Sequence, residues 1–182
     1  MTDYNIYTAA LFACGVASAA LSIWVLKVNS SNLSTRERIP RNKTAGTILA
    51  LLCLLWCIPH AKPIVWDWML PWLYPLVVAC TMLAYFFLDY LFSRAIGGLF
   101  ILLAYYFLHE SFTFHTPSAP TLVILSWIMG ITGLFFSAKP HLCRDLIRKF
   151  AVARNYKYAT TGYLIILSLF CLTAGVMQAL RK

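Results

Sequence analysis

Long apolar stretches alternate with short polar segments along the whole of this chain. Six stretches have the length and apolar character that a helix needs to cross a hydrocarbon core of roughly 30 Å. They cover residues 7–28, 45–60, 71–88, 95–109, 121–138 and 160–180. The pattern predicts an all-α fold, a polytopic transmembrane bundle of about six spans in three hairpins, which forms a single integral membrane domain over residues 1–182.

Composition supports the same class of protein. Of the 182 residues, 61% are hydrophobic and 12% are charged, whereas soluble domains are nearer half apolar and a quarter charged. The lipid bilayer is therefore the expected partner. The polar segments are too short to fold as a separate domain, and the chain has no GxxxxGK[ST] loop, GxSxG elbow or HExxH pair. These features favour a protein that is not an enzyme.

The net charge of +9 does not indicate a nucleic-acid partner, because the basic residues lie in short loops beside apolar spans. Lys and Arg concentrate in loops on the cytoplasmic side of membranes. The loops after spans one, three and five hold most of them: Arg36, Arg38, Arg41, Lys43, Arg94, Lys139, Arg144, Arg148, Lys149, Arg154 and Lys157. Both termini are then expected outside the cytoplasm, and the short loops suit a bacterial inner membrane.

One basic loop has helical periodicity between residues 140 and 152. Its apolar residues recur three and four positions apart, with charges on the remaining arc. The apolar positions are Leu142, Leu146, Ile147 and Phe150, and the basic ones include Arg144, Arg148 and Lys149. This segment is predicted to form a short amphipathic helix on the membrane surface.

The boundary between spans three and four lies near Asp89 and Arg94. A single helix from residue 72 to 108 would be about 55 Å long, more than a bilayer needs, so a tight hairpin is expected. Asp89 and Arg94 would lie at its turn, and Gly97 and Gly98 would let the two helices approach closely. If the turn lies elsewhere, the same two charges form an intramembrane ion pair.

Three histidines, His60, His109 and His115, fall near one predicted surface, with Asp67 and Glu110 nearby in sequence. Imidazoles and carboxylates that converge can bind a metal, a haem or a quinone headgroup. No histidine lies in the middle of a span, where a haem in a bundle is normally held. The alternative is that these side chains cap helix ends or meet lipid headgroups.

Cys53, Cys57 and His60 share one face of the second span, since offsets of four and three residues bring helical side chains together. Sulfur and imidazole ligands could hold copper(I) or zinc. The pair lacks the CxxC turn of structural zinc sites, and cysteine also serves as a small apolar packing residue. The chain has six cysteines, most of them inside predicted spans, so a disulfide framework is not expected.

No motif identifies a family or a cofactor. The leading interpretation is a small non-enzymatic membrane protein, a structural or accessory subunit of a larger assembly, with other membrane chains or a second copy as partners. A redox or metal protein that uses the outer histidines is the first alternative. A small oligomeric transporter or channel is the second, although the spans are poor in the polar residues that mark a transport pathway.

Overall fold

The computed structural model of the chain describes residues 2–114 and 119–180, and these residues form helices and connecting turns without a strand. The α-helices are α1 (Thr2–Leu26), α2 (Leu33–Arg36), α3 (Lys43–Ala61), α4 (Leu73–Phe87), α5 (Leu91–Thr113), α6 (Ala119–Ala138), α7 (His141–Val152) and α8 (Arg154–Leu180). Short 3-10 helices cover Ser30–Asn32, Ile39–Arg41 and Asp67–Trp72. The all-α prediction is confirmed.

Among the described residues, six helices are long and apolar enough to cross a membrane. They are Tyr4–Leu26, Lys43–Ala61, Asp67–Phe87, Leu91–Thr113, Pro120–Ala138 and Arg154–Leu180. Each overlaps one predicted span. The fourth and sixth are longer than expected, because their helices continue through polar residues at the ends that an apolar pattern does not count.

Pro59 lies inside α3 and does not end it. The helix continues through this residue to Ala61, and the amide of Lys62 still donates to the carbonyl of Ile58. A proline inside a helix removes one backbone donor, and α3 accommodates this loss. The helix ends only before Pro63.

Residues 88–90 separate α4 from α5, so the long continuous helix considered above does not form. Leu88 closes α4 through a bond from its amide to the carbonyl of Ala84. Tyr90 follows with a φ of 56°, in the left-handed region that residues other than glycine seldom adopt. Such a residue stores backbone strain of about 1 kcal/mol or more.

By internal contacts the chain divides into two compact units. The first comprises residues 1–33, 103–129 and 146–182. In it α1 packs along α8, where Gly15 meets the side chain of Leu172 and the hydroxyl of Ser168 donates to the carbonyl of Gly15 at 2.8 Å. A small core of Val25, Val28, Ile147 and Phe150 joins the end of α1 to α7.

The second unit comprises residues 34–102 and 130–145. Here α3 packs on α4 around Ile58, Leu73 and Val77. Two glycines permit close backbone crossings: a Cβ on Gly46 would lie 2.5 Å from the amide nitrogen of Phe92, and one on Gly97 would lie 2.6 Å from the carbonyl oxygen of Gly133. These crossings place the start of α5 beside α3 and α6.

Candidate functional site

Tyr90 is the centre of a polar cluster in the second unit. It occupies the three-residue connection between α4 and α5, and its side chain is partly buried. Nη2 of Arg41 donates to the phenolic oxygen of Tyr90 at 3.0 Å, and the guanidinium carbon of Arg41 lies 5.4 Å from the centre of the Tyr90 ring. Arg41 is therefore held by a hydrogen bond and by a cation–π contact.

A second guanidinium reaches the same phenolic oxygen. Nη1 of Arg144, in the first turns of α7, donates to Tyr90 Oη at 3.4 Å. Nη2 of Arg144 lies 3.5 Å from Oδ1 of Asp145, and the Arg144 side chain is 25% exposed. Two guanidinium groups thus lie at one phenolic oxygen, and the carboxylate of Asp145 lies beside one of them.

Arg94 joins α5 to the end of α6. Its Nη1 donates to the carbonyl oxygen of Ser137 at 3.1 Å, and the neighbouring hydroxyl of Ser93 donates to the carbonyl oxygen of Pro140 at 3.0 Å. The C-terminal carbonyls of a helix lack intrahelical partners, so Arg94 satisfies a carbonyl of α6 that would otherwise be unpaired. The amide of Arg94 also donates to the carbonyl of Tyr90, which places Arg94 one turn beyond the tyrosine.

The three arginines have more donors than acceptors. Three guanidiniums offer roughly fifteen N–H bonds, and within the part of the chain that the structure describes the Nε groups of Arg94 and Arg144 are buried without a hydrogen-bond partner. A buried donor without an acceptor costs about 1–3 kcal/mol. A cluster of guanidinium groups with unpaired donors is suited to binding an oxyanion. We call Arg41, Tyr90, Arg94 and Arg144 the arginine cluster.

Cys143 lies close to this cluster, one residue before Arg144 and outside the candidate spans. Burial raises the pKa of its thiol above the ordinary value, and a hydrogen bond with the side chain of Ser93 acts in the opposite direction. Burial is the larger effect, so the thiol stays protonated at neutral pH. A reactive thiolate is not expected here.

Asp89 lies in the α4–α5 connection, as expected, whereas Arg94 lies in the first turn of α5 and not in the connection. Asp89 is exposed, and Arg94 directs its guanidinium to the carbonyl of Ser137 rather than to this carboxylate. Gly97 does support a close helix crossing, but its neighbour is Gly133 of α6, and Gly98 has no atom within 4 Å of a placed Cβ. The expected close approach of spans three and four through these glycines is therefore replaced by an approach of α5 to α6.

The three residues expected to bind a metal do not form a ligand group. Cys53 is buried and directs its sulfur 3.8 Å from the carbonyl of Ala95, whereas His60 is exposed near the end of α3. Among the residues that the structure describes, no group of three or more His, Cys, Asp or Glu side chains is placed to hold a metal ion. Contacts between α3 and α5 account for Cys53 as a packing residue.

The convergence of the outer histidines stays a prediction. His60 belongs to the second unit and His109 to the first, while His115 lies outside the described residues. Nδ1 of His109 is 3.4 Å from Oε1 of Glu110, and its ring stacks on Tyr105 at 6.0 Å. These contacts place His109 among its own helical neighbours.

The basic residues of α7 have different surroundings. Arg148 and Lys149 are exposed, and Nζ of Lys149 lies 5.1 Å from the ring of Tyr156. Arg144 was expected to share their surface position, but it is largely buried against Tyr90. The difference arises because Arg144 faces the turn before α5, a neighbour that the helical periodicity cannot identify.

A groove of about 260 Å³ lies along the beginning of α1. The residues that line it are distant in sequence from those of the arginine cluster. They are Tyr4, Asn5, Thr8, Ala9, Phe12 and Ala179. Among the described residues the lining is mostly apolar, and none of these residues is charged.

Comparison of the chain with protein-family models, with curated proteins and with solved structures gives no significant match. Sequence reasoning assigned Arg41, Arg94 and Arg144 to membrane orientation and did not single out Tyr90 or Ser137. One signal was available: three arginines from three separate loops were all expected on one side of the membrane.

Proposed function

We propose that this chain is a small non-enzymatic integral membrane protein that acts as a structural or accessory subunit of a larger membrane assembly. Its six candidate spans occupy most of the described residues, and the segments between them are short. A protein of this construction acts through its lateral faces and through the ends of its helices. The lateral faces contact lipid or another chain.

The low burial of α4 is the observation that carries this proposal. Only 11% of the apolar stretch in the Asp67–Phe87 span is buried, against 33% in the spans of α5 and α8. The exposed side chains of α4 include Leu76, Val78, Met82, Leu83, Phe86 and Phe87. Membrane helices associate through van der Waals packing and small or polar residues, so this face is available to a neighbouring helix.

Site-specific photocrosslinking tests the proposal. A benzophenone amino acid at Phe86, which is 73% exposed on α4, is expected to form adducts with a membrane protein in native membranes. The matched control is the same substitution at Ile124, which is 63% exposed on α6. The control is expected to give lipid adducts. More of the α6 span is already buried within the chain, so its remaining exposed face is expected to meet lipid.

The same experiment distinguishes the two kinds of partner. Adducts at twice the mass of the chain indicate self-association, and adducts of another mass indicate a different subunit. Lipid adducts alone at Phe86, together with a monomeric mass for the protein extracted in mild detergent, would contradict the accessory-subunit proposal.

We further propose the topology expected from the basic loops, with three hairpins and both termini outside the cytoplasm of a bacterial cell. The contacts of Tyr90 with Arg41 and Arg144 support it, because these residues come from the connections after α1, α4 and α6. Three connections that meet at one oxygen belong on one side of a membrane. Positive-inside bias makes that side cytoplasmic.

Cysteine labelling tests this topology. A membrane-impermeant maleimide is expected to label Lys62→Cys on intact cells, because Lys62 is exposed in the connection after α3. The matched variant Ser34→Cys, exposed in the connection after α1, is expected to react only after the membrane is permeabilised. The reverse pattern would invert the topology.

We also propose that α7 lies in the membrane interface. Ile147 and Phe150 are buried against the end of α1, whereas Arg148 and Lys149 are exposed. A helix with one apolar and one basic face lies at the headgroup boundary when its basic side meets lipid phosphates. Spin labels at Arg148 and at Phe150 would report this difference as high and low accessibility to a water-soluble relaxation agent.

A further inference from the structure

We propose that the arginine cluster is a binding site for a phosphate group, supplied by the headgroup of an anionic lipid or by a soluble phosphate. This site does not depend on whether the chain is an accessory subunit. The proposal rests on the convergence of Arg41 and Arg144 at Tyr90, on the buried donors of Arg94 and Arg144, and on the position of the cluster at the end of two spans.

The electrostatics of the cluster favour an anion. Arg41 and Arg144 both donate to the phenolic oxygen of Tyr90, at 3.0 and 3.4 Å. Like charges that converge repel each other, and a phenol supplies only a partial negative charge. Asp145 partly neutralises Arg144. The charge that remains is what an oxyanion would neutralise.

The buried, unpaired donors add to the positive potential of the cluster. Nε of Arg94 and Nε of Arg144 are buried without acceptors among the residues of the described chain. Buried polar groups are nearly always hydrogen-bonded, so each exception calls for a physical reason. A phosphate has several acceptor oxygens and pairs with guanidinium groups through two parallel bonds.

The backbone supports the same site. Tyr90 is held at φ 56°, and strained residues of this kind cluster where a side chain must be placed for a ligand. The next residue, Leu91, begins the 23-residue helix α5, whose N-terminal dipole adds a partial positive charge. Arg41 is exposed, so the cluster is open to a group approaching from outside the protein.

The position of the cluster places this group at headgroup depth. The candidate span of α4 ends at Phe87 and that of α5 begins at Leu91, so Tyr90 lies between the ends of two apolar helices. Lipid phosphates occupy this level of a bilayer. A soluble phosphate would reach the same donors from the water side.

Native mass spectrometry on the full chain in detergent tests the lipid source. The probe is dioleoyl phosphatidic acid. Phosphatidylcholine, which has a phosphate group but also carries a choline cation, is the competitor. The wild type is expected to retain phosphatidic acid, and Arg144→Gln and Arg41→Gln are each expected to weaken this binding about tenfold, because each removes a charge-assisted hydrogen bond. Lys149→Gln removes the same charge from the exposed side of α7 and is expected to change binding less than twofold.

Thermal unfolding in lipid-free detergent with added inorganic phosphate tests the soluble source. A midpoint that rises with phosphate in the wild type but not in Arg144→Gln would identify a free phosphate, and binding of phosphatidic acid alone would identify a lipid headgroup. Arg41 is exposed, so Arg41→Gln keeps the test valid should Arg144→Gln fold poorly. Equal binding by wild type, Arg41→Gln and Lys149→Gln in both experiments would overturn the proposal.

Discussion

Gly97 of α5 and Gly133 of α6 meet backbone to backbone. A Cβ placed on Gly97 would lie 2.6 Å from the carbonyl oxygen of Gly133, and a Cβ placed on Gly133 would lie 2.6 Å from the carbonyl oxygen of Gly97. No real side chain fits at such a distance. Because lipid provides no hydrophobic force between helices, close packing at small residues is a principal source of their association.

Gly97→Ala is therefore expected to destabilise the protein. The added methyl group also meets the hydroxyl of Ser137 at 2.5 Å, so α5 and α6 must separate. Overpacking of this kind costs about 1–3 kcal/mol. A lower midpoint of thermal unfolding in detergent, followed by circular dichroism, would report the loss.

Gly98→Ala is the matched control, one residue further along the same helix. A Cβ at this position meets nothing within 4 Å, and alanine is the better helix former by about 1 kcal/mol. The midpoint is expected to stay unchanged or to rise. An equal loss in both variants would mean that helix α5, and not its crossing with α6, is what the substitutions disturb.

The packing of these glycines could be predicted from the sequence only in part. Apolar length located all six candidate spans. The break between α4 and α5, at residues 88–90, overlaps only the start of the Asp89–Arg94 segment in which a turn was expected. Sequence also indicated a close approach at Gly97, but it assigned the wrong neighbour. A glycine permits contact on one face of its helix, and only tertiary packing decides which helix occupies that face.

Ser168 provides a second test of helix association. Its buried hydroxyl donates to the carbonyl of Gly15 at 2.8 Å and so joins α8 to α1. Interhelical hydrogen bonds in membranes contribute about 0.6 kcal/mol on average and up to about 1.7 kcal/mol. Ser168→Ala is expected to lower the unfolding free energy by an amount in this range, measured by titration with sodium dodecyl sulfate.

Thr173→Ala is the corresponding control on α8. The hydroxyl of Thr173 is exposed and donates only to carbonyls of its own helix, those of Leu169 and Phe170. Its removal is expected to leave the association of α1 with α8 unchanged. The role assigned to Ser168 would be refuted by a loss at Thr173 as large as that at Ser168.

The arginine cluster was beyond the reach of sequence alone. Counting Lys and Arg placed Arg41, Arg94 and Arg144 on one predicted side of the membrane, but it predicted no contact among them. Long-range contacts bring residues 41, 90 and 144 together, and no spacing rule encodes them. The left-handed backbone of Tyr90 is equally invisible, because tyrosine has no preference for that conformation.

Tyr90→Phe is expected to destabilise the connection between α4 and α5. The substitution keeps the ring beneath Arg41 but removes the oxygen that accepts from Arg41 and Arg144. A hydrogen bond to a charged group contributes about 1.5–3 kcal/mol, and exposure of Arg41 reduces the effect, so a loss of about 1 kcal/mol is expected in the same unfolding titration.

Tyr85→Phe is the control for this substitution. Tyr85 is exposed on α4, and its ring lies 6.0 Å from Nζ of Lys43. Phenylalanine preserves that ring contact, so the unfolding free energy is expected to change by less than about 0.5 kcal/mol. A comparable loss in both variants would indicate a general effect of removing tyrosine hydroxyls near the membrane surface.

Cys143 gives the chain a predictable dependence on pH. Burial raises the pKa of this thiol, so the folded protein keeps a proton that the unfolded chain releases near pH 8.5. The unfolded state therefore binds fewer protons above that pH, and the stability that this group contributes is present below about pH 8.5 and is lost as the pH rises through the folded pKa.

Alkylation by iodoacetamide measures this shift directly, because only the thiolate reacts. The rate at Cys143, followed by peptide mass spectrometry, is expected to reach half its maximum above about pH 8.5 in the folded protein and near pH 8.5 after unfolding in dodecyl sulfate. Ser93→Ala should move the folded midpoint higher still, since the Ser93 side chain opposes the effect of burial. Equal midpoints in the folded and unfolded protein would show that Cys143 is solvated. This result would contradict the packing of α7 against the start of α5.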